Sequence, residues 1–206
     1  MDVPERLPPE LFQRMDESPD AAFYAAPRLV NHIDDATIEA LRRTYDELLP
    51  ADAALLDLMS SWVSHLPERP FARVAGLGMN EAELRANPRL TEHAVVDLNA
   101  DPRLPYEDAS FDAVLNAVSV QYLTRPLEVF AEVARVLRPG GRSIVAMSHR
   151  CFPTKAIRAF HGLPRDGRLA LVAAYHELAG GFTGTRQLDR SPEGADPLWI
   201  VTALRR

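Results

Sequence analysis

Between Ala113 and Met147 the spacing of apolar residues changes twice, and this alternation restricts the architecture more than any other feature of the chain. Ala113 to Val120 is a mostly apolar run bounded by the turn residues Glu107, Asp108 and Ser110, the pattern of a strand covered on both faces. Leu127, Phe130, Ala131, Ala134 and Leu137 then recur at helical spacing, with Thr124 placed to cap the first turn and Pro126 tolerated inside it. Pro139, Gly140 and Gly141 are expected to end that helix, and Ser143 to Met147 supplies the next buried strand. Strand, helix and strand in this order make a crossover unit, so the sheet is predicted to be parallel with helices packed on its faces.

The same reading extends in both directions. Upstream, Ala53 to Leu58 and Arg73 to Leu77 are predicted strands, and HAVVDL, beginning at His93, a third. Before them Asp34 is placed to cap a helix whose apolar stripe is Ile38, Leu41, Tyr45, Leu48 and Leu49, stopped by Pro50. Asn80 is expected to cap the short helix in NEAELRAN, with Glu83 completing a capping box and Pro88 closing it. Met1 to Asp20 is polar and proline-marked, with a short helix expected in PELFQRM. Downstream a helix runs from Leu169 to Ala179 and stops at Gly180 and Gly181, after which TRQLD and LWIVTAL read as two strands of a hairpin.

Composition narrows the partners. With 206 residues, 47% of them hydrophobic and 25% charged, the chain has the material for one domain with a real core. A formal charge of −6 argues against nucleic acid and anionic membrane surfaces as partners, since both attract a basic face. Cys151 is the single cysteine, so neither a disulfide framework nor a thiolate metal cluster is expected, and a reducing compartment fits. MDVPERLPPELF has neither the basic start nor the apolar centre of a signal peptide, and no apolar run has membrane-spanning length; a cytoplasmic location is the expectation.

The segments LPYEDASFDAV and RPLEVFAEVARVLRPGG, with the strand after them, resemble the second half of a class I S-adenosylmethionine-dependent methyltransferase of the type 11 kind. The combination carries the resemblance: a Leu-Pro-aromatic turn, Ser-Phe-Asp opening a strand, and Arg-x-Leu-Arg-Pro-Gly-Gly behind a helix. It implies a Rossmann-like α/β fold, with a mostly parallel seven-stranded sheet, a C-terminal antiparallel hairpin and helices on both faces. It also implies a division into an N-terminal helical cap or lid (residues 1–50) and a methyltransferase-like domain (residues 51–206), with S-adenosylmethionine as cofactor and a small molecule as methyl acceptor.

The resemblance assigns positions to the cofactor, and the sequence departs from its pattern at two of them. Asp57 stands where the family has an acidic residue at the end of the first strand, but Met59, Ser60, Ser61 and Trp62 replace the glycine-rich turn that follows it. Ser60 and Ser61 either offer donors to the methionyl carboxylate or simply cap a following helix. Trp62 is expected to pack inward or to wall the cavity from the side. After the second strand, GLGMN puts Gly78 where an acid would accept the ribose hydroxyls, leaving backbone around Gly78 and Met79, or Asn80, to hold the sugar; alternatively the glycine marks a close ligand approach. Asp97 or Asn99 takes the adenine amino group with Leu98 on the ring, unless they only form an Asx turn before Pro102. Ala117 and Val118, running on to Ser119, lie where the methionyl part is expected, at the carboxyl ends of the strands. Arg28 is placed to pair with the methionyl carboxylate, against a plain solvated charge.

No residue is singled out as a base; Tyr24, His32, Gln121, Tyr122 and His149 are candidates by position. His149, Arg150, Lys155 and Arg158 form a basic run that could receive an acidic substrate or only face solvent. Two functions from different classes follow: methyl transfer to a small molecule, or a methyltransferase-like binding scaffold whose cofactor site has decayed. A nicotinamide-linked oxidoreductase would need a glycine fingerprint after the first strand and an acid after the second, and the chain has neither.

Overall fold

A computed structural model describes residues 7–206. In chain order its elements are a 3-10 turn at Pro9–Phe12, α1 (Asp20–Phe23), α2 (Asp35–Leu48), β1 (Ala54–Leu58), β2 (Arg73–Gly78), α3 (Glu81–Ala86) and β3 (Glu92–Val95). They continue with β4 (Phe111–Ala117), a 3-10 turn at Val120–Tyr122, α4 (Pro126–Val136), β5 (Leu137–Met147), α5 (Arg158–Gly162), α6 (Arg165–Ala179), β6 (Phe182–Asp189) and β7 (Trp199–Arg205). The strands form one seven-stranded sheet in the order β3-β2-β1-β4-β5-β7-β6. The first five are parallel and the C-terminal pair antiparallel, so the order turns around between β1 and β4.

Both faces of the sheet are covered, which is why its strands carry near-continuous apolar runs. On one face α2 sets Ile38, Leu41 and Tyr45 against Leu55, Ala113, Leu115, Ile144 and Ile200. On the other, Val129, Phe130 and Val133 of α4 and Val172 and Tyr175 of α6 pack against Leu56, Val114, Val145 and Val201. Asp34 caps α2 as expected, its carboxylate accepting from the Thr37 amide at 2.8 Å. Gly180 ends α6 at φ 76, also as expected, although the helix starts at Arg165 rather than Leu169.

Four local expectations fail for tertiary reasons. The fourth strand stops at Ala117, because Val118 turns to φ 44 and gives its amide to the Ala146 carbonyl at 2.8 Å. Thr124 does not cap α4: its amide donates to Asn99 Oδ1 at 2.8 Å, and Arg125 holds the cap position without a side-chain bond. Gly140 does not end α4, which stops at Val136; at φ 78 it sits in a bulge of β5, where the register with β4 jumps between Leu137 and Arg142. Lastly, no helix follows β1. Residues 59–72 cross to β2 as an irregular loop, where Pro67 and Pro70 would interrupt any helical ladder. Ser60 and Ser61 are therefore not helix caps.

The segment before α2 is fastened to the region after β5. Asp16 donates its amide to Thr154 O at 2.9 Å and Arg158 its amide to Gln13 O at 2.7 Å, around an isolated bridge between Arg14 and Ile157. Beneath them Asp20, 4% exposed, accepts from Arg14 Nη1 at 2.7 Å and from Asn99 Nδ2 at 2.8 Å. The fully buried Lys155 lies 3.2 Å from both Asp16 and Asp20 and donates to Ser18 O at 2.6 Å. Opposed charges in this knot satisfy one another, as burial requires.

Candidate active site

The carboxyl ends of β1, β2 and β4, the turn after β3 and the segment before α2 surround one cavity of about 350 Å³. That is within the usual range of small-molecule sites, roughly 300–1,000 Å³, and it lies where the strand order reverses. Every position assigned to the cofactor from the sequence lines it: Arg28, Asp57, Ser60, Ser61, Gly78, Met79, Asn80, Asp97, Leu98, Asn99, Ala117 and Val118. Trp62 does not fill it. The indole is a half-buried wall, its Nε1 donating to Val30 O at 3.0 Å.

The floor is built by β1 and the loop behind it. Met59 takes φ 58, the left-handed conformation for which glycine is suited, so the tight turn after β1 persists without the residue that makes it inexpensive. The bend brings the Ser60 amide to Leu77 O at 2.7 Å and the Ser60 hydroxyl to Asp57 Oδ2 at 2.6 Å. Burial pushes the Asp57 carboxyl up to about 6, despite hydrogen bonds from Ser60 and Ser64. Ser61 donates its hydroxyl to Glu83 Oε2 at 2.6 Å. Both serines thus line the cavity with their hydroxyl protons already committed to protein carboxylates.

The β2 side differs from expectation in what Gly78 does. A Cβ there would collide with the backbone oxygen of Ser60, so the crossing loop by itself requires the glycine. Asn80 caps α3 by accepting from the Glu83 amide at 3.1 Å, while its Nδ2 donates to Tyr24 O at 2.9 Å and Ala25 O at 3.1 Å. Glu83 does not return to Asn80 to complete a capping box. Its carboxylate accepts from the Arg28 amide and from Ser61 Oγ, each at 2.6 Å, tying the cover to the floor. The sequence signalled Glu83 only as a helix-start residue, which is why this contact was missed.

Beyond β3, Asp97 Oδ1 accepts from the Asn99 amide at 3.0 Å, so the Asx turn is present. Oδ2 has no partner among the described residues, and the buried Leu98 stands beside it. Asn99 joins three parts of the fold, giving Nδ2 to Asp20 and to Tyr122 O and taking the Thr124 amide.

The cover is aromatic. Phe152 packs against Phe23 at 5.4 Å, His32 at 5.3 Å and Tyr122 at 5.7 Å between ring centroids. The Arg28 guanidinium lies 4.5 Å over the Phe23 ring and 5.2 Å over Phe152, and donates to Phe23 O at 2.8 Å. Of the candidate bases, Tyr24, His32 and Tyr122 line the cavity; Gln121 and His149 do not. Burial holds His32 below the usual imidazole range, and burial raises Tyr24 and moves Tyr122 up to about 12. His65 was not anticipated. It is 7% exposed on the loop behind β1, its Nδ1 lacks a partner, and burial brings it down to about 4, a neutral ring in the cavity wall. The basic run is dispersed: His149 meets Asp196 at 3.1 Å, Lys155 is buried in the acidic knot, and Arg150 alone reaches the cavity.

Residues 58–145 match the family model described as "Methyltransferase domain", the type 11 kind. The central part of the chain is therefore similar to methyltransferase domains of that kind. The chain is 26% identical over 151 residues to 24-methylenesterol C-methyltransferase 2 of Oryza sativa subsp. japonica, covering 66% of this chain and 42% of the relative. It is 32% identical over 134 residues to the malonyl-[acyl-carrier protein] O-methyltransferase of Hahella chejuensis, covering 61% and 46%. The chain therefore spans less than half the length of both relatives. Its fold is that of class I methyltransferases: the crystal structure of an S-adenosylmethionine-dependent methyltransferase from Mesorhizobium loti superposes with a TM-score of 0.57 at 16% identity, over 82% of this chain and 100% of the other. Proteins of the matching kind use S-adenosylmethionine. Among the described residues no helix is long and apolar enough to cross a membrane.

Proposed function

We propose that the chain transfers the methyl group of S-adenosylmethionine to a small molecule. One observation carries this reading: the cavity at the strand-order reversal remains open beside Trp62, lined by every position assigned to the cofactor. The donor set suits such a ligand. Leu98 and Asp97 offer a flat apolar surface and a free acceptor for a base and its amine, and Arg28 offers a guanidinium for a carboxylate. When bound, the cofactor supplies an electrophilic methyl group on a cationic sulfur.

The protein's part is to align and dry the acceptor. Phe152, Tyr122 and Trp62 restrict water, while the neutral rings of His32 and His65 can accept a hydrogen bond or proton without adding positive charge near the sulfonium. Of the cap assigned to residues 1–50, the described segment before α2 serves as the cover in this reading, held shut by the Glu83 contacts and the knot around Asp20. Titration calorimetry with S-adenosylmethionine and S-adenosylhomocysteine tests it: both are expected to bind with micromolar affinity, and absence of heat at millimolar ligand refutes the proposal.

A second reading has its own support. The hydroxyls of Ser60 and Ser61 and the side chains of Asn80 and Asn99 are already engaged with protein partners, which suits a binding scaffold with a decayed cofactor site. The same titration separates the two.

A further inference from the structure

The charged groups lining the cavity differ in their partners. Of the carboxylates lining it, Asp20 is paired with Arg14 and Lys155, while Asp57, Glu83 and Asp97 accept from neutral donors: the Ser60 hydroxyl, the Ser61 hydroxyl with the Arg28 amide, and the Asn99 amide. Neither guanidinium in the lining is paired with a carboxylate among the described residues. That of Arg28 is stacked on Phe23 and Phe152 and bonded to Phe23 O, whereas that of Arg150 makes no hydrogen bond or ion pair among the described residues. Its sequence neighbours show the contrast, since His149 and Lys155 both face acids. Arg150 is exposed at the rim, where His32 also lines the cavity with its ring against Phe152. A protein of formal charge −6 thus presents, beside an aromatic wall, a guanidinium with no hydrogen-bond or ion-pair partner among the described residues.

We propose that Arg150 and His32 form a subsite at the rim that receives an anionic group, a carboxylate or phosphate, carried by the methyl acceptor. The subsite rests on the proposed function for its purpose. Arg150 is a binding residue in it, presenting the planar fork that matches such anions, and the Phe152 ring packs the acceptor's body. Arg28, held deeper by its stacking, is left to the cofactor's carboxylate.

Calorimetric titrations of benzoate, phenyl phosphate and the neutral benzamide test this, run on the free protein and on protein saturated with S-adenosylhomocysteine. An anion is expected to bind the saturated protein roughly tenfold or more tightly than benzamide. Arg150→Gln should erase that preference while leaving S-adenosylhomocysteine affinity unchanged; the exposed position keeps the variant folded, as circular dichroism would verify. Equal binding of anion and amide overturns the subsite, and so does persistence of the preference in Arg150→Gln. A loss of S-adenosylhomocysteine affinity in that variant overturns it differently, by giving the guanidinium to the cofactor. If S-adenosylhomocysteine does not bind at all, methyl transfer fails, while an Arg150-dependent preference of the free protein for anions would still uphold the subsite.

Discussion

Asp57 is a carboxylate whose surroundings oppose its charge. It is 4% exposed, and burial raises its carboxyl to about 6 from an ordinary 3.8. For an acid raised in this way, the associated stability is complete below the unfolded value of 3.8 and is lost as pH rises through 6. At pH 7.5 the ionised group therefore weighs against the fold. Asp57→Asn keeps an acceptor for Ser60 and removes the charge, so unfolding in urea should show it more stable than the parent at pH 7.5 by about 2–3 kcal/mol, with the gain gone near pH 4. An equal midpoint at both pH values would refute this account. Asp57 was legible from its place after β1; its hydrogen-bonded partners were not, because Ser60 reaches it only through the left-handed bend at Met59.

At the scale of elements, the sequence revealed what periodicity and end signals govern. β1, β2, the capped helix α2 and the closing hairpin follow from residues that are neighbours in the chain. The N-terminal tie was beyond such reading, since Lys155 and Ser18 are 137 positions apart and nothing local in either announces the other. The crossover after β1 was hidden for a related reason: Ser60 and Ser61 look like caps, but their hydroxyls are claimed by Asp57 and Glu83. Glu83 makes a prediction at this scale. Glu83→Ala removes the acceptor of the Arg28 amide and of the Ser61 hydroxyl, charge-assisted bonds worth about 1.5–3 kcal/mol each. Hydrogen exchange at the Arg28 amide should accelerate roughly 10- to 100-fold, with amides of β4 unaffected. An unchanged rate would show that the cover is held by its aromatic packing instead.

For the molecule as a whole, acid lability has an identifiable contributor far from the cavity. His176 on α6 is fully buried, with ring nitrogens 3.0 Å from Val172 O and 2.9 Å from Ser143 Oγ, and burial lowers it to about 4 from 6.5. For a base lowered in the folded state, its share of stability is complete above 6.5 and declines as pH falls toward 4, by up to about 3 kcal/mol. His176→Phe removes the titration, so its unfolding free energy should change less than the parent's between pH 7 and pH 4.5, whatever the variant costs in packing. A parallel pH profile for the two proteins would refute the assignment.

Met59 and Val118 stand at the ends of β1 and β4 with φ 58 and φ 44, angles that ordinary side chains resist and that a branched one resists most. A bend of this kind can form without the letters that make it easy: a pattern written in amino acids passes over it, whereas one written in torsion angles would find it at once.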